Sequence, residues 1–148
     1  MKTFKELGLH ESILKTVGRL NFESPSEIQE KAIPLVLAGK DVIGCSATGS
    51  GKTLAFGAAI IERIRKGSGI QALILTPTRE LCEQVSKSLN VFSTYSPLHI
   101  IAVYGGVGIM PQIKALQTAD VVVGTPGRIL DHMERRTINF NQVRILVL

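Results

Sequence analysis

At 148 residues the chain can hold one domain with a substantial core, and it is too short for two. Its 45% hydrophobic and 20% charged content is that of an ordinary globular protein, which argues against a disordered or fibrous class. Seventeen Lys and Arg against twelve Asp and Glu leave a net charge of +5, a surplus that suits a polyanionic ligand.

The opening residues Met-Lys-Thr-Phe-Lys-Glu interrupt any apolar run too early for a secretory signal, and no later run is long enough to span a membrane. Cys45 and Cys82 lie far apart with no Cys-x-x-Cys spacing, so both read as buried or neutral thiols in a reducing compartment. A soluble, cytoplasmic protein is expected. In chain order, Ser24-Pro25-Ser26-Glu27 predicts a helix start, with Ser24 and Glu27 as a capping box and Pro25 at the first helical position. A strand is predicted over 41–45. It leads through a glycine-rich turn into a helix whose face is Leu54, Ala58, Ile61 and Ile64 and which stops at Gly67. A second strand over 72–76 precedes a helix lined by Leu81, Val85, Leu89 and Phe92. Further strands are predicted over 100–104, 120–123 and 143–148. Alternating strands and helices, with β-branched strands apolar on both faces, predict an α/β fold built on a mainly parallel sheet. In such sheets ligands bind outside the carboxyl ends of the strands.

The turn carries the chemistry. Ser46-Ala47-Thr48-Gly49-Ser50-Gly51-Lys52-Thr53 places Gly-x-Gly-Lys-Thr between a strand and a helix, the pattern of a phosphate-binding loop. Glycines let successive N–H groups turn inward around phosphate oxygens, and the helix beginning near Gly51 points its positive end at the same anion. Lys52 is then placed for the β- and γ-phosphates and the Thr53 hydroxyl for Mg²⁺. Ser46 stands where Gly or Ala is usual, and it is small enough to fit. Upstream, Gln29 offers an amide that can pair with the N6 and N7 edge of adenine, and Phe4 offers a ring to stack on the base.

His10, His99 and His132 are not spaced as metal ligands and read as structural or surface residues. Asp131-His132 has no nucleophile nearby and reads as a helix face. Arg65-Lys66 and Arg135-Arg136 read as helix-end charges that favour the dipole.

Taken together, the motifs resemble the amino-terminal RecA-like domain of a DEAD-box RNA helicase. Pro25-Ser26-Glu27-Ile28-Gln29 resembles the family's Q motif, and Ser46–Thr53 its phosphate loop. Pro77-Thr78-Arg79-Glu80-Leu81 resembles motif Ia, with Cys82 where alanine is common. Gly105-Gly106 and Thr125-Pro126-Gly127-Arg128 resemble two further RNA-contacting elements, and all stand in the family's order. The resemblance implies a RecA-like P-loop NTPase domain, with residues 1–38 as a Q-motif region and 39–148 as a partial ATP-binding domain. It implies ATP and Mg²⁺ as cofactors, with Lys52 and Thr53 catalytic. It implies RNA as partner, held through its sugar-phosphate backbone by Pro77, Thr78, Arg79, Gly105, Gly106, Thr125, Gly127 and Arg128. Backbone contacts of this kind carry little sequence preference.

The namesake Asp-Glu-Ala-Asp is absent, and Arg144-Ile145-Leu146-Val147-Leu148 resembles the strand that precedes it. The Ser-Ala-Thr motif and the second RecA-like domain with its arginine fingers are absent too. The expectation is therefore a fragment of a longer helicase, inactive in hydrolysis by itself. Lacking a strand from mid-sheet, it is also expected to be unstable or oligomeric. Two other readings stand beside it: an ATP-gated RNA clamp with incidental turnover, and an unrelated phosphate-loop enzyme such as a small-molecule kinase.

Overall fold

The computed structural model describes residues 2–148 and divides the chain into two compact units. One comprises the residues up to Arg63 together with Ser88–Pro97, and the other Ile64–Lys87 with Leu98–Leu148.

Three helices dominate the first unit: α1 (Glu11–Arg19), α2 (Glu27–Leu37) and α3 (Lys52–Arg63). Ahead of them a single 3₁₀ turn, Lys5–Leu7, buries Leu7. The apolar faces meet in one cluster of Phe4, Leu7, Leu9, Ile13, Val17, Ala32, Ile33, Leu54, Ala55, Ala58, Ile61 and Phe92. Ile13 and Ile33 are fully buried, each contributing about 1.5–3 kcal/mol over an exposed position. Leu54, Ala58 and Ile61 form the predicted inner face of α3. That helix ends at Arg63, however, short of Gly67, which sits in a following turn with φ +81°.

The start of α2 also departs from expectation. Its N-cap is Ser26, and the capping box joins Ser26 to Gln29, so Pro25 lies outside the helix. Two overlapping Ser-x-x-acid/amide patterns compete here, and the one that holds is that in which Gln29 gains a second partner.

The second unit is built on a four-stranded parallel sheet of β1 (Ala72–Leu75), β2 (Ile100–Val103), β3 (Val121–Gly124) and β4 (Ile145–Val147). The order is β2-β3-β1-β4. Ala72 aligns with Val121 on one side and with Ile145 on the other, and Ile100 aligns with Val121. One face packs Leu73, Val103 and Val122 against Leu116 of α5 (Ile109–Leu116) and Ile129 of α6 (Pro126–Glu134). On the opposite face Ala72, Ile74, Val121 and Val123 are buried too, which explains their unbroken apolar sequence. The first turns of α4 (Arg79–Phe92) serve that face, and the Cys82 thiol donates to the Val123 carbonyl at 3.0 Å. Burial pushes the Cys82 thiol above its usual range, so it stays protonated.

The predicted strand over 41–45 does not form. Those residues run without secondary structure and are exposed, Ile43 completely. A strand exists only where a neighbour completes its ladder, and among the described residues none pairs with this segment.

Candidate nucleotide site and nucleic-acid interface

In the first unit the candidate phosphate loop is shaped by two glycines. Gly49 and Gly51 have φ of +78° and +86°, which side-chain-bearing residues adopt only at a cost of about 1–2 kcal/mol. A methyl group at Gly51 would also collide with the Gln29 amide nitrogen. Ser46 and Ser50 bond across the turn through their hydroxyls at 2.6 Å, and the Ser50 N–H donates to the Ala47 carbonyl at 3.3 Å. Ser46 is therefore a working part of the loop. Its hydroxyl closes the turn in a way that a glycine or alanine could not.

From α2, the Ser26 hydroxyl donates to the Ser50 carbonyl at 2.6 Å. The Gln29 Nε2 donates to the Gly51 carbonyl at 3.2 Å, while its Oε1 accepts from the Ser26 N–H at 3.0 Å. With only 5% of its surface exposed, Gln29 is no solvated helix residue. It joins the cap of α2 to the root of the loop. The Lys52 ammonium folds back on the loop, donating to the carbonyls of Ser46 at 2.6 Å and Ala47 at 2.8 Å. Lys52 opens α3, whose first N–H groups have no helical acceptor and present a partial positive charge. Ala47, Thr48 and Gly49 form the exposed crest. Thr53 lies in the first turn of α3, half-buried, and its hydroxyl suits one oxygen position of a Mg²⁺ shell.

Phe4 is not on this surface. It is 6% exposed, sits in the apolar core, and faces the ring of Phe22 at 6.4 Å between centroids. Phe22, at 41% exposed, is the more accessible ring of the pair. Cys45, beside the loop, is exposed rather than buried.

In the second unit, Pro77–Arg79 follow β1, Gly105–Gly106 follow β2, and Thr125–Arg128 follow β3. The strands are parallel neighbours, so the three elements share the carboxyl edge of one sheet. Thr78 caps α4, its hydroxyl oxygen accepting from the Leu81 N–H at 3.2 Å and its proton remaining available to an acceptor. Thr125 caps α6 through its backbone position alone, with Pro126 in the first turn; its side chain makes no cap bond. Gly105, Gly106 and Gly127 have open space where a Cβ would stand, so a chain could approach the backbone closely.

The two arginines differ. Arg79 lies over the Tyr104 ring, 4.7 Å from its centroid, with its Nε 3.4 Å from Glu83. The Tyr104 hydroxyl donates to the same carboxylate at 2.7 Å, which holds the Glu83 carboxyl below its usual range and raises the Tyr104 phenol. Arg128 is mostly enclosed, with 14% of its side chain exposed. Its Nη1 donates to the Val107 carbonyl at 3.0 Å and to Gln112 Oε1 at 3.2 Å. His132 is fully buried and structural, while His10 and His99 are exposed, His10 capping α1 through its Nδ1. Sequence reasoning passed over Ser26, Glu83, Tyr104 and Gln112. Only Ser26, in a Ser-x-x-Gln pattern, and the i,i+4 pair of Arg79 and Glu83 left a local signal.

The profile of the DEAD/DEAH box helicase family matches residues 26–148. The chain belongs to that family. It is 51% identical to the ATP-dependent RNA helicase CshA of Listeria monocytogenes, over all of this chain and 29% of the relative. It is 47% identical to the DEAD-box ATP-dependent RNA helicase CshA of Geobacillus kaustophilus, over 32% of that protein. The chain thus spans about a third of the curated relatives it matches. Among solved structures, a DEAD box protein from Methanococcus jannaschii superimposes with a TM-score of 0.93 at 46% identity, covering 97% of this chain and 40% of that one. Saccharomyces cerevisiae Dbp5 bound to RNA and ADP BeF3 gives 0.87 at 31% identity, covering 99% and 37%. The helices and parallel sheet are those of a DEAD-box RecA-like domain.

Proposed function

We propose that this chain supplies the ATP-binding site and part of the RNA surface of an ATP-dependent RNA helicase, an RNA-stimulated ATPase that opens short duplexes in the cytoplasm. The observation that carries the reading is Gln29. An amide with adenine-pairing chemistry is bonded to the carbonyl of Gly51, at the base of the phosphate loop, so base and phosphate recognition share one rigid piece.

In this reading the triphosphate takes the Lys52 ammonium from the Ser46 and Ala47 carbonyls, exchanging neutral acceptors for charged ones. Loop amides and the start of α3 hold the phosphate oxygens, and Ser46, Ala47, Thr48, Gly49, Ser50 and Gly51 set their positions. Thr53 is the residue here that would hold Mg²⁺, which screens phosphate charge when bound. Gln29 reads adenine. A stacking role for Phe4 requires its ring to leave the core, and Phe22 is the more accessible ring of that pair. Pro77, Thr78, Arg79, Gly105, Gly106, Thr125, Gly127 and Arg128 meet the RNA backbone. A second RecA-like domain of the same protein completes the catalytic set and closes on both ligands. Two named helicases at 51% and 47% identity support the reading.

Strand separation of a short RNA duplex by the full-length protein tests it. The helicase reading expects displacement with ATP and Mg²⁺ that Lys52→Ala abolishes. ATP-dependent RNA retention with no displacement would favour the clamp.

A further inference from the structure

Behind the proposed RNA edge lies a hydrogen-bond relay whose hub none of the motifs includes. Its hub is Gln112 of α5, 7% exposed. The Gln112 Nε2 donates to the Tyr104 carbonyl at 2.9 Å, and its Oε1 receives Arg128 Nη1 at 3.2 Å and His132 Nε2 at 3.0 Å. The amide's orientation follows from chemistry, because a carbonyl can only accept and a guanidinium can only donate. The same logic fixes the histidine. Gln112 Oε1 is an acceptor, so His132 Nε2 carries the proton, and in the neutral ring Nδ1 accepts from the Thr137 hydroxyl at 2.7 Å. Burial foremost, then the nearby Arg128, holds the His132 imidazole below its ordinary value, which keeps it in that neutral form.

The consequence concerns the segment from Tyr104 to Gly108. Gly105 and Gly106 are exposed and have no side chains to anchor them, and Gly106 sits at φ +80°. The segment is held at both ends: the Tyr104 carbonyl by Gln112 and the Val107 carbonyl by Arg128. Arg128 belongs to the neighbouring Thr125–Arg128 element, so Gln112 and His132 tie two of the three edge elements into one piece.

We propose that Gln112 and His132 are positioning residues for RNA binding. They hold the Gly105–Gly106 turn and Arg128 in the spacing that successive backbone phosphates require, and they spare the RNA site the entropy of ordering a glycine turn on binding. The inference rests on the RNA reading given above. Arg128 then acts as a strut as much as a contact, since its Nη1 is spent on Val107 and Gln112 inside the protein.

The test is RNA affinity of the full-length protein, read by fluorescence anisotropy with a labelled single-stranded oligonucleotide and a non-hydrolysable ATP analogue. Gln112→Leu strands a buried carbonyl and two donors, and the dissociation constant for RNA is expected to rise about tenfold while analogue affinity alone stays within about twofold. Gln112→Glu keeps both donors satisfied but replaces the bond to Tyr104 with a carboxylate oxygen set against its carbonyl, so its RNA affinity is expected to fall between the two. If the leucine variant does not fold, the glutamate variant decides. A folded variant with wild-type RNA affinity overturns the inference, as does an equal loss of RNA and analogue affinity, which marks a merely structural role. Wild-type protein that binds no RNA overturns the RNA reading itself, so the two failures are distinguishable.

Discussion

Replacing Gln29 by alanine separates two roles of one side chain. The change removes the bond from the Ser26 N–H and the bond to the Gly51 carbonyl, each worth about 0.5–1.5 kcal/mol net. It also leaves a cavity at a position only 5% exposed, so a loss near 2–3 kcal/mol is expected in urea denaturation. The nucleotide effect is separate. With Gly51 untethered and the adenine-pairing amide gone, ATP affinity is expected to fall at least tenfold, about 1.4 kcal/mol, and the preference for ATP over GTP to vanish. Gln29→Glu sharpens the comparison. It keeps an acceptor for the Ser26 N–H at a helix start, where a negative charge is favourable, but sets a carboxylate against the Gly51 carbonyl. It is therefore expected to bind ATP as poorly as the alanine variant while losing less stability. Competition binding of ATP and GTP against a fluorescent nucleotide reads both variants. A folded alanine variant that keeps both affinity and base preference would refute the reasoning.

Other substitutions probe the second unit. A methyl at Gly124 would stand 2.5 Å from Ile129 Cδ1 and 3.2 Å from the Val103 carbonyl, so Gly124→Ala is expected to cost about 1–3 kcal/mol by chemical denaturation. Glu83 competes with any incoming phosphate for Arg79, so Glu83→Gln is expected to tighten RNA binding about twofold at low ionic strength, the worth of an exposed ion pair, and to steepen its salt dependence. His132 has a folded-state value below its ordinary 6.5, so the unfolded chain takes up the proton first. Its contribution is present above that ordinary value and is lost as pH falls through the lowered one. Between about pH 7.5 and about pH 5.5 the wild type is expected to lose more melting temperature than His132→Asn, which is less stable throughout.

Much of this was legible in the sequence because the signals are local. The spacing of Val85, Leu89 and Phe92 is that of the buried face of α4, although Leu81, expected beside them, is 38% exposed, and β-branched runs marked β1 to β4 to within two residues. Glycine placement around Lys52 marked the candidate phosphate loop. What escaped detection depends on distant partners. Residues 41–45 have strand-like composition, yet a strand also needs a neighbour, and composition does not report one. Ser24 and Ser26 each begin a plausible capping box. The choice fell to Gln29 through its bond with Gly51, 22 positions away. Arg128 reads as a free phosphate-binding cation until Val107 and Gln112 are seen to enclose it. Gln112 carries no motif at all, because its role exists only where α5, α6 and the Tyr104 carbonyl converge.

The measurement closest to the central claim is ATP hydrolysis by the full-length protein with no nucleic acid, with single-stranded RNA and with DNA of matched sequence. Strong stimulation by RNA, weaker or absent with DNA, is the expected result, since the 2′-hydroxyl is what distinguishes two otherwise similar backbones. Hydrolysis indifferent to both would contradict the RNA surface assigned to the edge of the sheet and leave the chain a nucleotide-binding unit only.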